Sequence, residues 1–342
     1  MKFAVIGAGN TGHAVSAYLA HMGADVCLYT RSSEKAELIN RIGITASGSV
    51  EGTYRIACTS DLAAAVKAAG CIVLTTTADV HHQVLEQLKP LLERDQKILI
   101  TNANWGAFEG KLILGDDIRE KNLWVAETSS QLCVASSKDV GSVTLSLKSG
   151  ILLAATEKKN SQPFVEWLKP YIPGLSAGGN IVMTTLCSTN PVIHVPITVL
   201  NAVRTENGEP YKFYGNGISP LTVRYIEKID AERVAVARSL GVEITDILTG
   251  INSFWPVKHD NLFDALHENE VYQRSMGPKS FNFRYITEDI PYGIAPVCKI
   301  GRLHGVDTPY TEALVRFASL LIGRDFMAEG VSFRKGDLSS VL

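Results

Sequence analysis

The sequence has no long hydrophobic run. Its longest apolar stretches, such as Gly150-Ile-Leu-Leu-Ala-Ala155, fall far short of the roughly 20 residues a bilayer span needs. It has no surplus of charge either: the formal net charge is −2, with no basic stripe or acidic tail. Nucleic acid and membrane surface are therefore not expected as partners. Cysteine is sparse, with six residues at 27, 58, 71, 133, 187 and 298. None forms a CxxC pair or a Cys/His cluster with zinc spacing, so no metal site is expected. Cys27 and Cys71 fall inside apolar strand-like runs, where a thiol acts as a small hydrophobe. No signal-peptide pattern precedes the first strand at Lys2, and a reducing cytoplasm is the expected compartment. There is no repeat and no low-complexity segment. What remains is an ordinary globular composition, 46% apolar over 342 residues, long enough for two domains.

The pattern along the chain changes once. Phe3-Ala-Val-Ile6 is a short apolar run bounded by glycine, which reads as a parallel strand buried on both faces. A helix from about Thr11 to His21, a strand at Val26–Tyr29 and a helix capped by Ser33 follow. After a hairpin excursion over Ile44–Cys58, the alternation resumes with strands at 71–74 and 97–100 around a helix at 80–92. His81 and His82, at the start of that helix, read as exposed. Strand signals recur near 124, 131–134, 142–145 and 151–154, and a helix near 163–171 closes the segment. Beyond about Ile181 only helices are indicated, at 190–204, 220–240, 243–249, 260–268, 291–304 and 309–322. The expected fold is α/β: an N-terminal Rossmann-type doubly wound sheet (1–178) followed by an all-helical C-terminal domain (179–342).

Gly7-Ala8-Gly9-Asn10-Thr11-Gly12 is a GxGxxG. Alone the motif is weak, but here it follows a buried strand, opens a helix and precedes a second strand at the right distance. The three glycines allow a tight turn, close approach of a pyrophosphate and close helix–strand packing. Free N–H groups at the helix start then face the phosphates. The end of the second strand lacks the acid that usually binds the ribose hydroxyls. It reads Tyr29-Thr30-Arg31-Ser32-Ser33, with Asp25 at the wrong end. Arg31, with hydroxyls from Thr30, Ser32 and Ser33, suits a 2′-phosphate, so NADP(H) is favoured over NAD(H). Thr76 and the Asn102–Asn104 stretch follow strands at their carboxyl ends, where such sheets bind ligands.

The segment from Ser188 to Asn201 carries the candidate chemistry. On a helix begun at Pro191, Asn190, His194, Thr198 and Asn201 form one polar stripe on an otherwise apolar surface. That pattern suits a buried helix whose stripe faces a wet cleft. The stripe favours a functional His194 over a satisfied core histidine. A second segment, Arg284-Tyr-Ile-Thr-Glu-Asp289-Ile-Pro-Tyr-Gly293, supplies a carboxylate and a guanidinium. Asp289 as a helix cap and Arg284 as a surface charge are the plain alternatives. Asp289 could instead fix a histidine tautomer, and Arg284 could hold a substrate carboxylate.

On these residues the chain resembles the octopine/nopaline (opine) dehydrogenase family. The likeness spans nearly the whole chain: the GAGNTGHAV opening, NPVIHVP followed by LNA, Tyr214, the Ile229-Asp-Ala-Glu-Arg helix and RYITEDIPYGIAP. It implies reductive condensation of an α-keto acid, pyruvate by default, with the amine of an amino acid. It also implies a His194–Asp289 pair, Arg284 in substrate binding, and a monomer or homodimer. Val195 before Pro196 departs from the family pattern, in which proline often follows the histidine directly. Several relatives prefer NAD, so the Arg31 reading is particular to this chain. Two other readings compete. One is a keto-acid or hydroxy-acid reductase of the ketopantoate reductase or glycerol-3-phosphate dehydrogenase type, which would need a lysine such as Lys228. The other is a non-catalytic NADP(H) sensor. Substrate-binding roles are assigned to Arg284, Asn190 and Asn201.

Overall fold

The computed structural model describes Met1–Leu342, which divides into two compact units: Met1–Thr184 with Val341, and Thr185–Ser340 with Leu342. In the first unit, strands β1 (Lys2–Ile6), β2 (Asp25–Tyr29), β5 (Ala57–Thr59), β6 (Cys71–Leu74), β7 (Lys97–Ile100), β8 (Trp124–Thr128), β11 (Ile151–Ala155) and β12 (Leu175–Ala177) form one sheet. Its order is β12-β11-β8-β7-β6-β1-β2-β5. The six strands from β8 to β5 are parallel, and β11 joins β8 antiparallel. The four central strands are buried on both faces, which is why their sequences are apolar without alternation.

A smaller sheet, β4-β3-β10-β9, is built from β3 (Ile44–Gly48), β4 (Gly52–Tyr54), β9 (Cys133–Ser136) and β10 (Ser142–Leu147). Helix α1 (Asn10–His21) lies against both sheets, so every residue from Gly12 to Leu19 is buried. A helix covered all round needs no amphipathic pattern. The remaining helices of this unit are α2 (Ser33–Ile42), α3 (Leu62–Val66), α4 (His81–Leu88), α5 (Gly106–Leu114), α6 (Asp117–Glu120) and α7 (Ser161–Leu168), and α8 (Ile181–Leu186) spans the division at Thr184.

The second unit is helical: α9 (Asn190–Leu200), α10 (Ala202–Glu206), α11 (Pro220–Ser239), α12 (Ile247–Phe254), α13 (Leu262–His267), α14 (Arg284–Thr287), α15 (Ala295–His304) and α16 (Pro309–Ile322). Several expected boundaries move. The helix expected over 190–204 breaks at Asn201, whose φ of −107° and ψ of 20° leave the helical region. The one expected at 243–249 starts only at Ile247, where Asp246 accepts from Thr249 N–H as its cap. A short helical turn over Arg284–Thr287 precedes the helix expected at 291–304. The Ile229-Asp-Ala-Glu-Arg motif on α11 is a structural hub. Asp230 accepts from Arg233 (2.9 Å) and from Ile247 N–H (2.9 Å), while Arg233 donates to the carbonyls of Leu186 and Thr245. Glu232 accepts from Tyr310 N–H (2.8 Å) and from both Thr311 N–H (2.8 Å) and its hydroxyl (2.6 Å), tying down the start of α16.

Candidate active site

The glycine loop sits between β1 and α1. Gly7 has φ +110°, a conformation that favours glycine. A Cβ on Gly12 would lie 1.7 Å from the Gly7 carbonyl oxygen, so only glycine lets α1 start this close to β1. Nothing lies within 4 Å of a Cβ built on Gly9, which leaves that side of the loop open to a ligand. Asn10 and Thr11 form the first turn of α1, where backbone N–H groups lack helical partners, and Ala8 immediately precedes its Gly9 cap. Two residues outside the motif hold the loop. The Thr75 hydroxyl, at the end of β6, donates to the carbonyls of Ile6 and Gly7, both at 3.0 Å. Gly141 N–H donates to His13 Nε2 (3.2 Å), so the proton of the neutral ring is on Nδ1, which donates to Gly9 O (2.9 Å). Burial lowers the pKa of His13 and keeps the ring neutral, against the raising effect of that hydrogen bond. The sequence signals both only by position, one inside the motif's helix and one at a strand end.

The 2′-phosphate candidates are arranged less freely than their order suggests. Arg31 is exposed. Ser32, rather than Ser33, caps α2: its hydroxyl accepts from Lys35 N–H (3.1 Å) and donates to Glu34 (2.8 Å). Thr30 is buried and its Oγ1 accepts from Ser32 N–H (3.4 Å). The side chain of Lys35, unmarked in the sequence, reaches the loop at Ala8 O (3.4 Å).

At the carboxyl ends of β6 and β7 three buried polar atoms have no protein partner: Thr76 Oγ1, Asn102 Oδ1 and Asn104 Nδ2. Asn102, Asn104 and Trp105 all have positive φ (81°, 60° and 66°), a cost of about 1–3 kcal/mol each that such sites concentrate. Unpaired donors and acceptors in a strained loop fit a carboxamide, which brings one group of each kind. The glycine loop and these strand ends thus suit a nicotinamide dinucleotide. His81 is buried, not exposed: its Nε2–H donates to Thr76 O (3.1 Å), and burial pushes its pKa down to about 4. Of the two histidines only His82 faces solvent, beside Glu86 at 3.4 Å.

In the helical unit, α9 is buried from Pro191 to Val199, and Asn190 is half-buried. Asp289 does not cap a helix. Its carboxylate accepts from His194 Nδ1–H at 2.8 Å, with both side chains almost wholly buried. The chain reaches this position through one wide turn, Ile290–Ile294, closed by Ile294 N–H to Asp289 O (3.0 Å). Such single wide turns often occur where function needs them. Gly293 allows it to pack on α9, since a Cβ there would lie 2.4 Å from Pro191 Cβ. The segments around 191 and 289–293 are therefore two halves of one contact.

With Nδ1–H committed to Asp289, Nε2 is the acceptor, and the Tyr214 hydroxyl donates to it at 3.2 Å. Burial pushes the Tyr214 phenol well above its ordinary value, helped by Tyr285, Tyr272 and Asp289. Tyr214 therefore stays neutral and can either donate to a neutral ring or accept from a charged one. Tyr285 stacks on His194 (centroids 4.0 Å, 28°), and Arg284 lies 5.3 Å over Tyr285. Arg284 is about one-third exposed and 3.7 Å from buried Glu288, so it is only partly a surface charge. Tyr272 stacks on Tyr214 and accepts from Trp255 Nε1 (3.1 Å). Elsewhere in this unit, Phe263 stacks on His267 and Met276 is exposed.

The structure therefore gathers His194, Asp289, Arg284 and Tyr214 in one cluster, but not the whole polar stripe. The Asn201 amide donates to the carbonyls of Ile197 and Gly217, both at 2.8 Å, and its Oδ1 accepts from Arg204 (3.3 Å). It closes the end of α9 rather than offering free hydrogen-bonding groups. Ser188 and Thr189, just before α9, keep buried hydroxyls without partners.

Two family models match the chain. The alpha-helical domain of NAD/NADP octopine/nopaline dehydrogenase matches residues 177–322. The N-terminus of NAD-dependent glycerol-3-phosphate dehydrogenase matches residues 2–134. An opine dehydrogenase of Arthrobacter sp. (strain 1C) is 31% identical over 99% of this chain and 96% of its own. Octopine dehydrogenase with NADH and L-arginine superposes with a TM-score of 0.74 at 20% identity, covering 94% of this chain and 90% of that one. Yersinopine dehydrogenase with NADP+ gives 0.75 at 15% identity, covering 96% and 91%. The chain belongs to the octopine/nopaline (opine) dehydrogenase family and is an NAD(P)-dependent oxidoreductase acting on CH–NH groups of small molecules.

Proposed function

We propose that the protein catalyses the reversible NADPH-dependent condensation of pyruvate with the amino group of an amino acid. Keto acid, amino acid, NADPH and a proton give a secondary-amine dicarboxylate, NADP+ and water. The observation that carries this reading is the buried His194–Asp289 pair within one aromatic cluster that also holds Arg284.

The cofactor, when bound, supplies the hydride that reduces the imine carbon. The proton work falls to His194. Its Nε2 takes a proton from the attacking amine and returns one to the oxygen that leaves as water, a role worth about 10²–10⁴-fold. Asp289 keeps Nδ1 protonated and stabilises the imidazolium. Tyr214 must yield Nε2 to the substrate or turn with it, since both ring nitrogens are already bonded. Arg284 pairs with a substrate carboxylate, displacing the loose contact to Glu288. Asn190, at the start of α9 and only half-buried, offers a further polar contact to substrate.

The NADPH preference rests on Arg31, supported by Lys35 beside the loop. A 2′-phosphate at Ser32 requires Glu34 to release that hydroxyl. Oxidation of NADPH with pyruvate, with and without pooled amino acids and repeated with NADH, tests both points. Turnover that requires the amino acids supports condensation, and turnover with pyruvate alone overturns it in favour of a simple keto-acid reductase. The reductase reading finds no support in Lys228, which is exposed on α11. Arg31→Ala should weaken NADPH use and leave NADH use unchanged. Equal effects on both would remove Arg31 from the phosphate site.

A further inference from the structure

Besides its two hydrogen bonds, the His194 imidazole lies on a ring face. Tyr285 stacks on it with centroids 4.0 Å apart and planes 28° apart. The torsion that turns a histidine ring about its Cβ–Cγ bond is soft, so neighbours set the ring plane. When a substrate takes Nε2 from Tyr214, the bond to Asp289 and this stack are left to hold that plane. The lone pair of Nε2 lies in it, so the stack aims the atom that accepts the proton.

Tyr285 and Asp289 reach the ring from one segment. They are four residues apart, and Glu288 N–H and Asp289 N–H both donate to Arg284 O (2.9 and 3.1 Å), which closes the turn between them. Asp289 meets an edge of the imidazole and Tyr285 its face. Tyr285 is itself braced. Phe283 stands perpendicular to it (4.9 Å, 88°), and buried Phe213 lies 4.9 Å away at 43°. Burial raises the Tyr285 phenol above its ordinary value, against the lowering effect of Arg284, so a neutral ring faces His194. The face of a neutral phenol attracts a cation through its quadrupole, more strongly where water is excluded. The contact therefore favours imidazolium over imidazole.

We infer that Tyr285 is a positioning residue for His194, fixing the plane of the imidazole and stabilising its protonated form. The inference rests on the acid–base role proposed above for His194. Other charges beside the stack are Arg284, 5.3 Å over the same phenol, and Glu288, 3.7 Å from Arg284. Of the further helices packed on α9, α10 and α16 bury no charged side chain. The buried charges of α11, Asp230, Glu232 and Arg233, are engaged in the hub described above.

The test is a titration of the His194 ring by nuclear magnetic resonance, on the full chain with isotope-labelled histidine and no substrate. Its signal is the one missing from His194→Ala. Tyr285→Leu keeps an apolar side chain and removes the aromatic face. The imidazole should then lose its proton about 1 pH unit lower, about tenfold in its ionisation constant. The acid limb of kcat/KM should move down by the same amount, and kcat should fall about tenfold. Tyr285→Phe keeps the face and should restore the wild-type titration and most of the lost kcat. Fluorinated phenylalanines at position 285 keep the shape but withdraw π density. They should lower the titration stepwise, and they give the answer if Tyr285→Leu does not fold. A titration that neither Tyr285→Leu nor the fluorinated series moves overturns the proposal. So does an equal shift in Tyr285→Phe and Tyr285→Leu, which would assign the effect to the hydroxyl. The titration is read without turnover, so the two failures separate. A fully active His194→Ala, with the expected titration in the other variants, instead overturns the acid–base reading on which the inference rests.

Discussion

Asp289→Asn isolates the role of the carboxylate from its space. In the wild type the Asp289 carboxylate accepts from His194 Nδ1–H at 2.8 Å in a nearly dry setting. A hydrogen bond to a charged partner is worth about 1.5–3 kcal/mol, or about 10- to 150-fold if the imidazolium loses it in the transition state. The amide adds a second penalty. If its NH₂ faces the ring, the proton moves to Nε2 and is donated to Tyr214, leaving no lone pair to accept a substrate proton. The combined expectation is a fall in kcat of about 10²–10⁴. Every residue proposed above to hold the cofactor lies in the other unit, so the Kd for the dinucleotide should stay within about twofold. Steady-state turnover and quenching of dinucleotide fluorescence measure the two quantities separately. A variant that keeps more than about a tenth of wild-type kcat refutes the tautomer argument. A parallel loss of cofactor binding would show that Asp289 supports the fold rather than the chemistry.

Three further outcomes follow from the first unit. Gly12→Ala puts a Cβ 1.7 Å from Gly7 O and must push the loop aside, so dinucleotide affinity should fall about 100-fold or more; unchanged calorimetric binding would mean that the loop does not carry the phosphates. His81 has its pKa pushed down to about 4 by burial, so the unfolded chain binds a proton below 6.5 that the folded chain refuses. Its contribution, about 3 kcal/mol, is complete above pH 6.5 and is lost as pH falls towards 4; a urea midpoint in His81→Gln that falls as steeply as in wild type would exclude it. Burial, and then the nearby Glu127, raise Glu109 to about 7, so the sign is opposite and stability is lost as pH rises from 4.5 to 7. Glu109→Gln should therefore be more stable than wild type by up to about 3 kcal/mol at pH 8 and equal to it near pH 4.5; a difference of the same size at both pH values would exclude titration as the cause.

Much of this molecule was written in local pattern. Continuous apolar runs at 3–6, 71–74 and 97–100 mark strands buried on both faces, because no solvent-facing position interrupts them. The glycine spacing at 7, 9 and 12 is equally local, since strand, turn and helix follow within one segment. His194 and Asp289 could be singled out by residue type and by family likeness. Short-range pattern failed where partners come from elsewhere in the chain. Ser32 capped α2 in place of Ser33, and His81 at a helix start was buried under a strained loop. Asn201 fell on the polar stripe of α9 yet was consumed by the Gly217 carbonyl.

The sequence by itself determined the strand and helix succession, the nucleotide-binding turn and the residue types available for acid–base work. These depend on periodicity and backbone sterics within a few residues of one another. Only the tertiary structure decided which of those groups act together. The 95 residues separating His194 from Asp289 are bridged by a wide turn, a glycine at 293 and a proline at 191 that fit against each other. Tyr214 reaches Nε2 only because the same packing buries all three groups. Hydrogen bonds of this kind are set by distances of tenths of an ångström between segments far apart in the chain, and no local pattern encodes such distances.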